Sequence, residues 1–147
     1  MDKKMEDFIL GILKNHNTLT LATLREDGYP QANTVTYAND DLIIYFNTSA
    51  DSRKIKNIMT CNKVSLAIDR DYEDWNKIKG LSMAATAEVL TNPGEIQKAV
   101  GCVMKKFPFL KDMPEPEEPM AVVKITPMII SVLNYELGFG HADLIEV

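Results

Sequence analysis

A β-hairpin near the start of the chain is the feature that most restricts its fold. Residues Thr18–Leu24 alternate leucines with threonines, a pattern typical of a strand with one buried face. The tract Glu26–Gly28 follows, and its Asp-Gly pair supplies the positive φ angles that tight hairpin turns require. Gln31–Tyr37 is predicted as the returning strand. Two directly joined strands favour an antiparallel sheet.

The rest of the sequence continues this pattern of short strands. Further strands are predicted at Leu42–Phe46, Lys63–Asp69, Leu81–Leu90, Ala121–Ile125 and Ile129–Asn134, with a turn at Asn39–Asp41 and a loop at Lys111–Pro119. Helical spacing of apolar residues predicts three helices, one from Met5 to about Asn15–Asn17, one with Ile55, Ile58 and Met59 on one side, and one with a buried face from Ile96 to Phe107. The connections are too short for a helical crossover after every strand. We therefore expect a single mainly β domain over residues 1–147, an antiparallel split β-barrel of about six strands with flanking helices.

Composition excludes several classes of function. The chain has 16 Lys and Arg against 21 Asp and Glu, so an acidic net charge of -5 argues against a nucleic-acid partner. Cys61 and Cys102 are far apart and lack the spacing of zinc or dithiol sites. No apolar run approaches the roughly 20 residues of a membrane span. We expect a cytoplasmic protein with reduced cysteines and no metal or membrane association.

The segment Phe46–Lys54 carries the most chemical information. A strand ends near Thr48, four small or polar residues turn, and a helix begins with Arg53 and Lys54 in its first turn. Cations are unfavourable at a helix N-terminus, because the helix dipole is already positive there. With the hydroxyls of Thr48, Ser49 and Ser52, these cations match the needs of a phosphate. An ordinary N-cap followed by solvated basic residues fits the sequence equally well.

Two other phosphate-binding motifs are missing from the sequence. Neither Gly-x-x-x-x-Gly-Lys-[Ser/Thr] nor Gly-x-Gly-x-x-Gly occurs. The sequence therefore supports neither an NTPase nor a Rossmann dehydrogenase.

The Phe46–Lys54 segment resembles the phosphate-binding turn of the FMN-binding split-barrel family, the pyridoxamine 5'-phosphate oxidase-like flavoproteins. Other segments are similar to this family in the same order, namely Leu19–Leu24, Asp27–Pro30, Gln31–Tyr37, Val64–Asp69 and Gly80–Val89. The similarity covers Leu19–Val89 well and the following helix and strands more loosely.

The resemblance implies an FMN held at a homodimer interface. Its phosphate would lie on Thr48, Ser49, Ser52, Arg53 and Lys54, and its ring and ribityl chain would lie along Asn33, Thr34 and Val35, mainly through backbone groups. The partner subunit would contribute from the region that contains Trp75, Lys79 and Gly80. Longer family members have a polar amide side chain near the position of Gly80, which this chain lacks.

The function implied by the resemblance is that of an FMN-dependent oxidoreductase with a small-molecule substrate or electron donor. True pyridoxamine phosphate oxidases are longer and bind their substrate through a C-terminal Arg and His. Here no Arg follows Arg70, and only His141 is a candidate, so we predict no such activity. A non-enzymatic flavin carrier or sensor, and a deazaflavin- or haem-binding relative, are the alternatives.

Several conspicuous residues also have ordinary structural interpretations. Trp75 is either a residue stacking beside the flavin or a packing residue at a subunit contact. His16 is predicted at a helix C-terminus, where a cation is favoured. His141 is expected to be exposed or hydrogen-bonded. The acids between Asp69 and Asp74, and those at 115, 117 and 118, are interpreted as solvated side chains.

Overall fold

The computed structural model describes all 147 residues, which form three helices and eight strands. The helices are α1 (Lys3–Asn15), α2 (Arg53–Thr60) and α3 (Pro93–Lys106). The strands are β1 (Thr18–Leu24), β2 (Pro30–Thr36), β3 (Ala38–Asp40), β4 (Ile43–Ser49), β5 (Lys63–Ile68), β6 (Lys79–Val89), β7 (Met120–Asn134) and β8 (Ala142–Glu146). None of the helices has the length and apolar character needed to cross a membrane.

All eight strands belong to one antiparallel sheet. The strand order is β2-β1-β5-β6-β7-β4-β3, and β8 pairs with the free side of β7. The sheet curls until β2 lies close to β4, although these two strands do not pair. This gap between β2 and β4 is the split of the barrel. The prediction of a mainly β, antiparallel split barrel with flanking helices is confirmed.

The core fills the concave side of the sheet, and two helices close its ends. Ile9 and Leu13 of α1 are fully buried there, and Ile55 and Ile58 of α2 are nearly so. Burial of each such side chain contributes roughly 1.5–3 kcal/mol. Helix α1 adjoins the end of β2, whereas α2 adjoins the end of β1 through Thr23. Because β1 and β2 are antiparallel, the two helices cover opposite ends of the barrel.

Two of the eight strands were not predicted from the sequence. The short strand β3 lies where a turn was predicted, and the actual turn follows at Asp41, whose φ is positive at 55°. Strand β8 lies near the C-terminus, where no strand was predicted.

The two final predicted strands are one long strand. Strand β7 runs through Pro127, because a bulge at Met128 shifts the register against Ala84 and Ala85 of β6. A proline, which has no N–H to donate, is tolerated at such an irregularity.

Helix α2 packs differently from its prediction. Met59, expected on the buried side, is 72% exposed, and Asn57 is buried in its place. The buried carboxamide is tolerated because Asn57 Nδ2 donates to Thr23 Oγ1 at 3.0 Å. A pattern of apolar residues alone cannot reveal such a buried polar contact.

His16 does lie at the C-terminus of α1, but it is not a cation there. Its Nδ1 lies 2.8 Å from Ile12 O, and its Nε2 accepts from Arg70 Nε at 3.1 Å. Burial lowers the pKa of His16, and the positive charges of Arg70 and Lys106 add to this effect. The cation at this helix end is instead Lys106. Its Nζ donates to Leu13 O at 3.3 Å and lies 3.9 Å from the centre of the Tyr37 ring.

Candidate functional site

The start of α2 is an uncapped helix N-terminus with two free cations. Ser52 occupies the N-cap position, yet its side chain makes no capping hydrogen bond. The first turn contains no acid, and neither Arg53 nor Lys54 forms a salt bridge. Thr48 Oγ1 lies 3.5 Å from Ser52 Oγ, so two hydroxyls stand beside the open amides. This arrangement suits a bound oxyanion.

The turn before α2 is held in place by the segment that leads into β7. Ser52 N–H donates to Ser49 O at 3.1 Å, and Ala50 N–H donates to Pro119 O at 2.9 Å. Ser49 Oγ donates to Glu118 Oε2 at 3.1 Å. Glu118, interpreted from the sequence as a solvated side chain, therefore also contacts the turn and adds a negative charge at its edge.

The start of α2 also faces the β1–β2 hairpin. The Asp27 carboxyl there has a lowered pKa, mainly because Arg25 donates hydrogen bonds to it, with a smaller contribution from the charge of Arg53. Within α2, Lys56 is a third cation, exposed on the solvent side, and the helix has no acid. Helix α2 therefore has three cations and no acid, although the chain as a whole is acidic.

A chain of amide side chains connects α2 to β2. Asn57 Nδ2 lies 3.4 Å from Gln31 Oε1, and Gln31 Nε2 donates to Asn33 Oδ1 at 2.9 Å. Asn33 was predicted as a site residue, but Thr23, Gln31 and Asn57 were not. Their only sequence signal is an Asn within the apolar side of a short helix.

Strand β2 presents the predicted ring-binding residues in two directions. Val35 is buried and Asn33 half-buried on the concave side, whereas Thr34 is exposed on the convex side. Only β1 pairs with β2, so backbone groups on its other edge are open to a ligand at the split.

Trp75, Lys79 and Gly80 lie at the other end of the barrel. Trp75 is 66% exposed in a short 3-10 turn, and Lys79 forms an ion pair with Glu136 at 3.0 Å. A Cβ on Gly80 would lie 3.0 Å from Ile68 O, so close backbone packing accounts for this glycine. Along β6, Gly80 is about 23 Å from Ala87, which adjoins the end of α2. One subunit does not bring these residues to the start of α2, and their contribution from a partner subunit stays a prediction.

The chain has no group of three or more metal-ligating His, Cys, Asp or Glu side chains. Cys61 and Cys102 are free thiols. His141 Nε2 is paired with Asp143 Oδ2 at 2.9 Å.

The curled antiparallel sheet and the cationic turn at its split define a split-barrel protein with a candidate oxyanion site. The sequence profile of the pyridoxamine 5'-phosphate oxidase family matches residues 1–133, and the chain belongs to this family. This confirms the resemblance found in the sequence. A comparison with curated protein sequences finds no match.

Similar solved structures include both haem-binding proteins and members of the oxidase family. The haem-binding protein from Mycobacterium smegmatis is 20% identical with a TM-score of 0.81, and the match covers 99% of this chain but only 59% of that protein. HutZ, the haem storage protein from Vibrio cholerae, is 17% identical with a TM-score of 0.68, over 81% of this chain and 87% of its own.

A third structure is that of a protein related to general stress protein 26, of the pyridoxinephosphate oxidase family, from Clostridium acetobutylicum. It is 19% identical with a TM-score of 0.71, over 100% of this chain and 97% of its own. Likeness at these identities shows the fold alone. The family includes flavin oxidoreductases and haem binders that are not enzymes.

Proteins of this family bind FMN or haem. The open amides, the two hydroxyls and the two cations at the start of α2 have the chemistry that a phosphate such as that of FMN requires. The observation that supports this fit is the pair of cations, Arg53 and Lys54, without acidic partners beside an uncapped helix end. Haem iron would need an axial His, Cys, Met or Tyr. His16 is hydrogen-bonded on both ring nitrogens, whereas His141 is hydrogen-bonded to Asp143 through Nε2 alone, so only His141 retains a ring nitrogen, Nδ1, for an axial bond.

Proposed function

We propose that this protein is an FMN-dependent oxidoreductase that acts on a small-molecule substrate other than pyridoxamine phosphate. The observation that carries the proposal is the uncapped start of α2 with its unpaired Arg53 and Lys54. A second phosphate, on the substrate, would need further cations. The C-terminal arginine that holds this phosphate in true pyridoxamine phosphate oxidases has no counterpart in residues 71–147, which supports excluding pyridoxamine phosphate.

Each residue at the start of α2 has a distinct role in binding the phosphate. The planar guanidinium of Arg53 can donate two parallel hydrogen bonds, and Lys54 adds a point charge. The hydroxyls of Thr48 and Ser52 and the first amides of α2 can donate to the remaining oxygens. Bound FMN would supply hydride or electron transfer through its isoalloxazine ring. The protein binds and orients the cofactor along β2 and excludes water from it.

The proposal includes a homodimer, and the convex face of the sheet supports it. One row across six paired strands consists of small or apolar uncharged residues, Thr34, Thr20, Ala67, Ser82, Ser131 and Leu144. The adjacent row adds Ala32, Ala22, Ser65, Ala84 and Ile129, and ends at Glu146 of β8. A broad solvent-facing surface with a single charge at its edge is typical of a protein interface. A partner packed on this face would cover the edge at β2 and could bring its own Trp75, Lys79 and Gly80 toward the cofactor.

The test compares FMN with riboflavin, which has the same ring but no phosphate. We expect the wild-type protein to bind FMN more tightly, and Arg53→Ala to weaken FMN binding by about 2–3 kcal/mol, roughly 30- to 150-fold. Riboflavin binding should not change. Lys56→Ala removes an exposed cation from the same helix and is the matched control, with an expected effect of less than about threefold.

Equal affinity for the two flavins, or no effect of Arg53→Ala on FMN binding, would show that the start of α2 does not bind the phosphate. Mass spectrometry of any chromophore that copurifies identifies the cofactor. Copurified haem, with no binding of FMN, would replace FMN as the proposed cofactor. Reduction of the bound flavin by NADH or NADPH faster than its reoxidation in air supports an enzyme. A flavin that no nicotinamide reduces would favour the carrier.

A further inference from the structure

We propose that Asn57 is a positioning residue that acts through Gln31, so that the amide of Asn33 presents hydrogen-bond donors to the isoalloxazine ring. The inference rests on the proposed function, because it assigns a role toward the same bound flavin. It concerns the ring rather than the phosphate, and the two can therefore be tested separately.

The hydrogen bonds run in one direction, from the interior to the split. Asn57 is 1% exposed, and its Nδ2 donates to Thr23 Oγ1 at 3.0 Å and toward Gln31 Oε1 at 3.4 Å. Gln31 Nε2 then donates to Asn33 Oδ1 at 2.9 Å. We call these three amide side chains, Asn57, Gln31 and Asn33, the amide relay.

The hydrogen bond from Gln31 fixes the orientation of the Asn33 side-chain amide. A carboxamide has an acceptor oxygen and a donor nitrogen, so fixing one atom fixes the other. Since Gln31 donates to Asn33 Oδ1, Nδ2 is held on the opposite side of the amide, where it has no partner within the chain and is free to donate. The buried end of the relay favours a fixed orientation, because an unpaired polar atom is costly there.

Donors of this kind match the acceptor atoms on the ring of a flavin. The pyrimidine part of the isoalloxazine has carbonyl oxygens and ring nitrogens that accept hydrogen bonds. These atoms gain electron density when the ring is reduced, so a neutral donor stabilises the reduced form and raises the reduction potential. The relay also connects the two ends of the cofactor site, since Asn57 belongs to the helix that begins at Arg53.

Two substitutions separate the donor role from a structural one. Gln31→Met keeps the size of the side chain but breaks the relay. Asn33→Asp keeps an oxygen that can accept from Gln31, but it has no donor for the flavin. Gln97→Met makes the same chemical change as Gln31→Met at an exposed position of α3 and is the matched control. Dissociation constants for FMN and riboflavin, the reduction potential of bound FMN and the thermal unfolding midpoint are measured for each protein.

We expect Gln31→Met to weaken FMN and riboflavin binding equally, by about five- to tenfold, the scale of one hydrogen bond, since the Asn33 amide is then no longer held in the orientation that donates to the ring. Asn33→Asp should weaken both at least as much and lower the reduction potential, with an unchanged unfolding midpoint. Gln97→Met should match the wild type. Equal effects on the two flavins distinguish these variants from Arg53→Ala, which affects FMN alone.

Two results would overturn the inference in different ways. If the wild type binds FMN with the expected dependence on Arg53, but Gln31→Met and Asn33→Asp leave affinity and potential unchanged, the relay has no role and the proposed function stands. If Asn33→Asp strengthens binding or raises the potential, Asn33 offers an acceptor and the assigned direction is wrong. A wild-type protein that binds neither flavin removes the proposed function and this inference together.

Discussion

The buried contact between Thr23 and Asn57 can be tested by stability alone, without any cofactor. Asn57 is 1% exposed and Thr23 is 2% exposed, and their side chains are joined at 3.0 Å. Asn57→Leu leaves the Thr23 hydroxyl without this partner and interrupts the relay. Loss of one partner from a buried hydrogen bond costs about 1–3 kcal/mol. We expect a loss of about 2–3 kcal/mol for Asn57→Leu and about 1–2 kcal/mol for Thr23→Val.

The double variant should lose less stability than the sum of the two single variants. With both polar groups replaced by apolar ones, no unpaired atom remains between β1 and α2, so we expect a coupling free energy of about 1 kcal/mol. Urea unfolding at a fixed protein concentration measures the four free energies of unfolding. Combining Asn57→Leu with Thr91→Val, a change at an exposed and separate site, is the additive control. Additivity of Asn57→Leu with Thr23→Val to within about 0.3 kcal/mol would refute the contact.

Three further predictions concern the turn, the end of α1 and two glycines. Glu118→Ala removes the carboxylate 3.1 Å from the Ser49 hydroxyl, so FMN should bind about two- to fivefold more tightly at low salt, and the gain should shrink in high salt in a fluorescence titration. The lowered pKa of His16 means that the unfolded chain takes up this proton first as the pH falls. The contribution of neutral His16 to the free energy of unfolding should therefore be fully present above about pH 6.5 and decrease below it. Urea unfolding at pH 7.5 and pH 5 measures this decrease, which should be smaller in His16→Gln. Gly80→Ala should destabilise by about 1–3 kcal/mol, because its Cβ would meet a backbone oxygen of β5 at 3.0 Å. Gly11→Ala, in open space on α1, should instead stabilise by about 0.5–1 kcal/mol, and thermal unfolding of the two variants should shift in opposite directions.

Local patterns were sufficient to predict much of the sheet. The hairpin from Thr18 to Tyr37 is present almost as predicted, because turn residues and alternation act over a few positions. Strand β8 was missed because its pairing is with β7, which fixes its structure through contacts outside the segment itself. The last two predicted strands, Ala121–Ile125 and Ile129–Asn134, are continuous through Pro127, because the bulge that accommodates this proline is set by pairing with β6.

The candidate site was predictable to a similar extent. The sequence places Ser52, Arg53 and Lys54 together because they are adjacent in the chain. It could not reveal that Glu118 reaches Ser49, or that Asn57 reaches Thr23 and Gln31, since these contacts join distant parts of the sequence. Contacts of this kind are set by the packing of α2 against the closed sheet, and no local pattern encodes them.

Helix α2 connects the proposed phosphate site at its start with the amide relay. A helix of eight residues is too short to be stable alone, so its position depends on Ile55, Ile58 and Asn57 packing into the end of the barrel. Its first turn weakens the helix further, because Arg53 and Lys54 oppose the dipole and Ser52 provides no cap. An oxyanion at this end would remove both penalties, while Asn57 holds the helix against β1 and β2. Under the proposed function, binding at the start of α2 would thereby be coupled to the strand that bears Asn33, and the same eight residues would align the phosphate and the ring of one ligand.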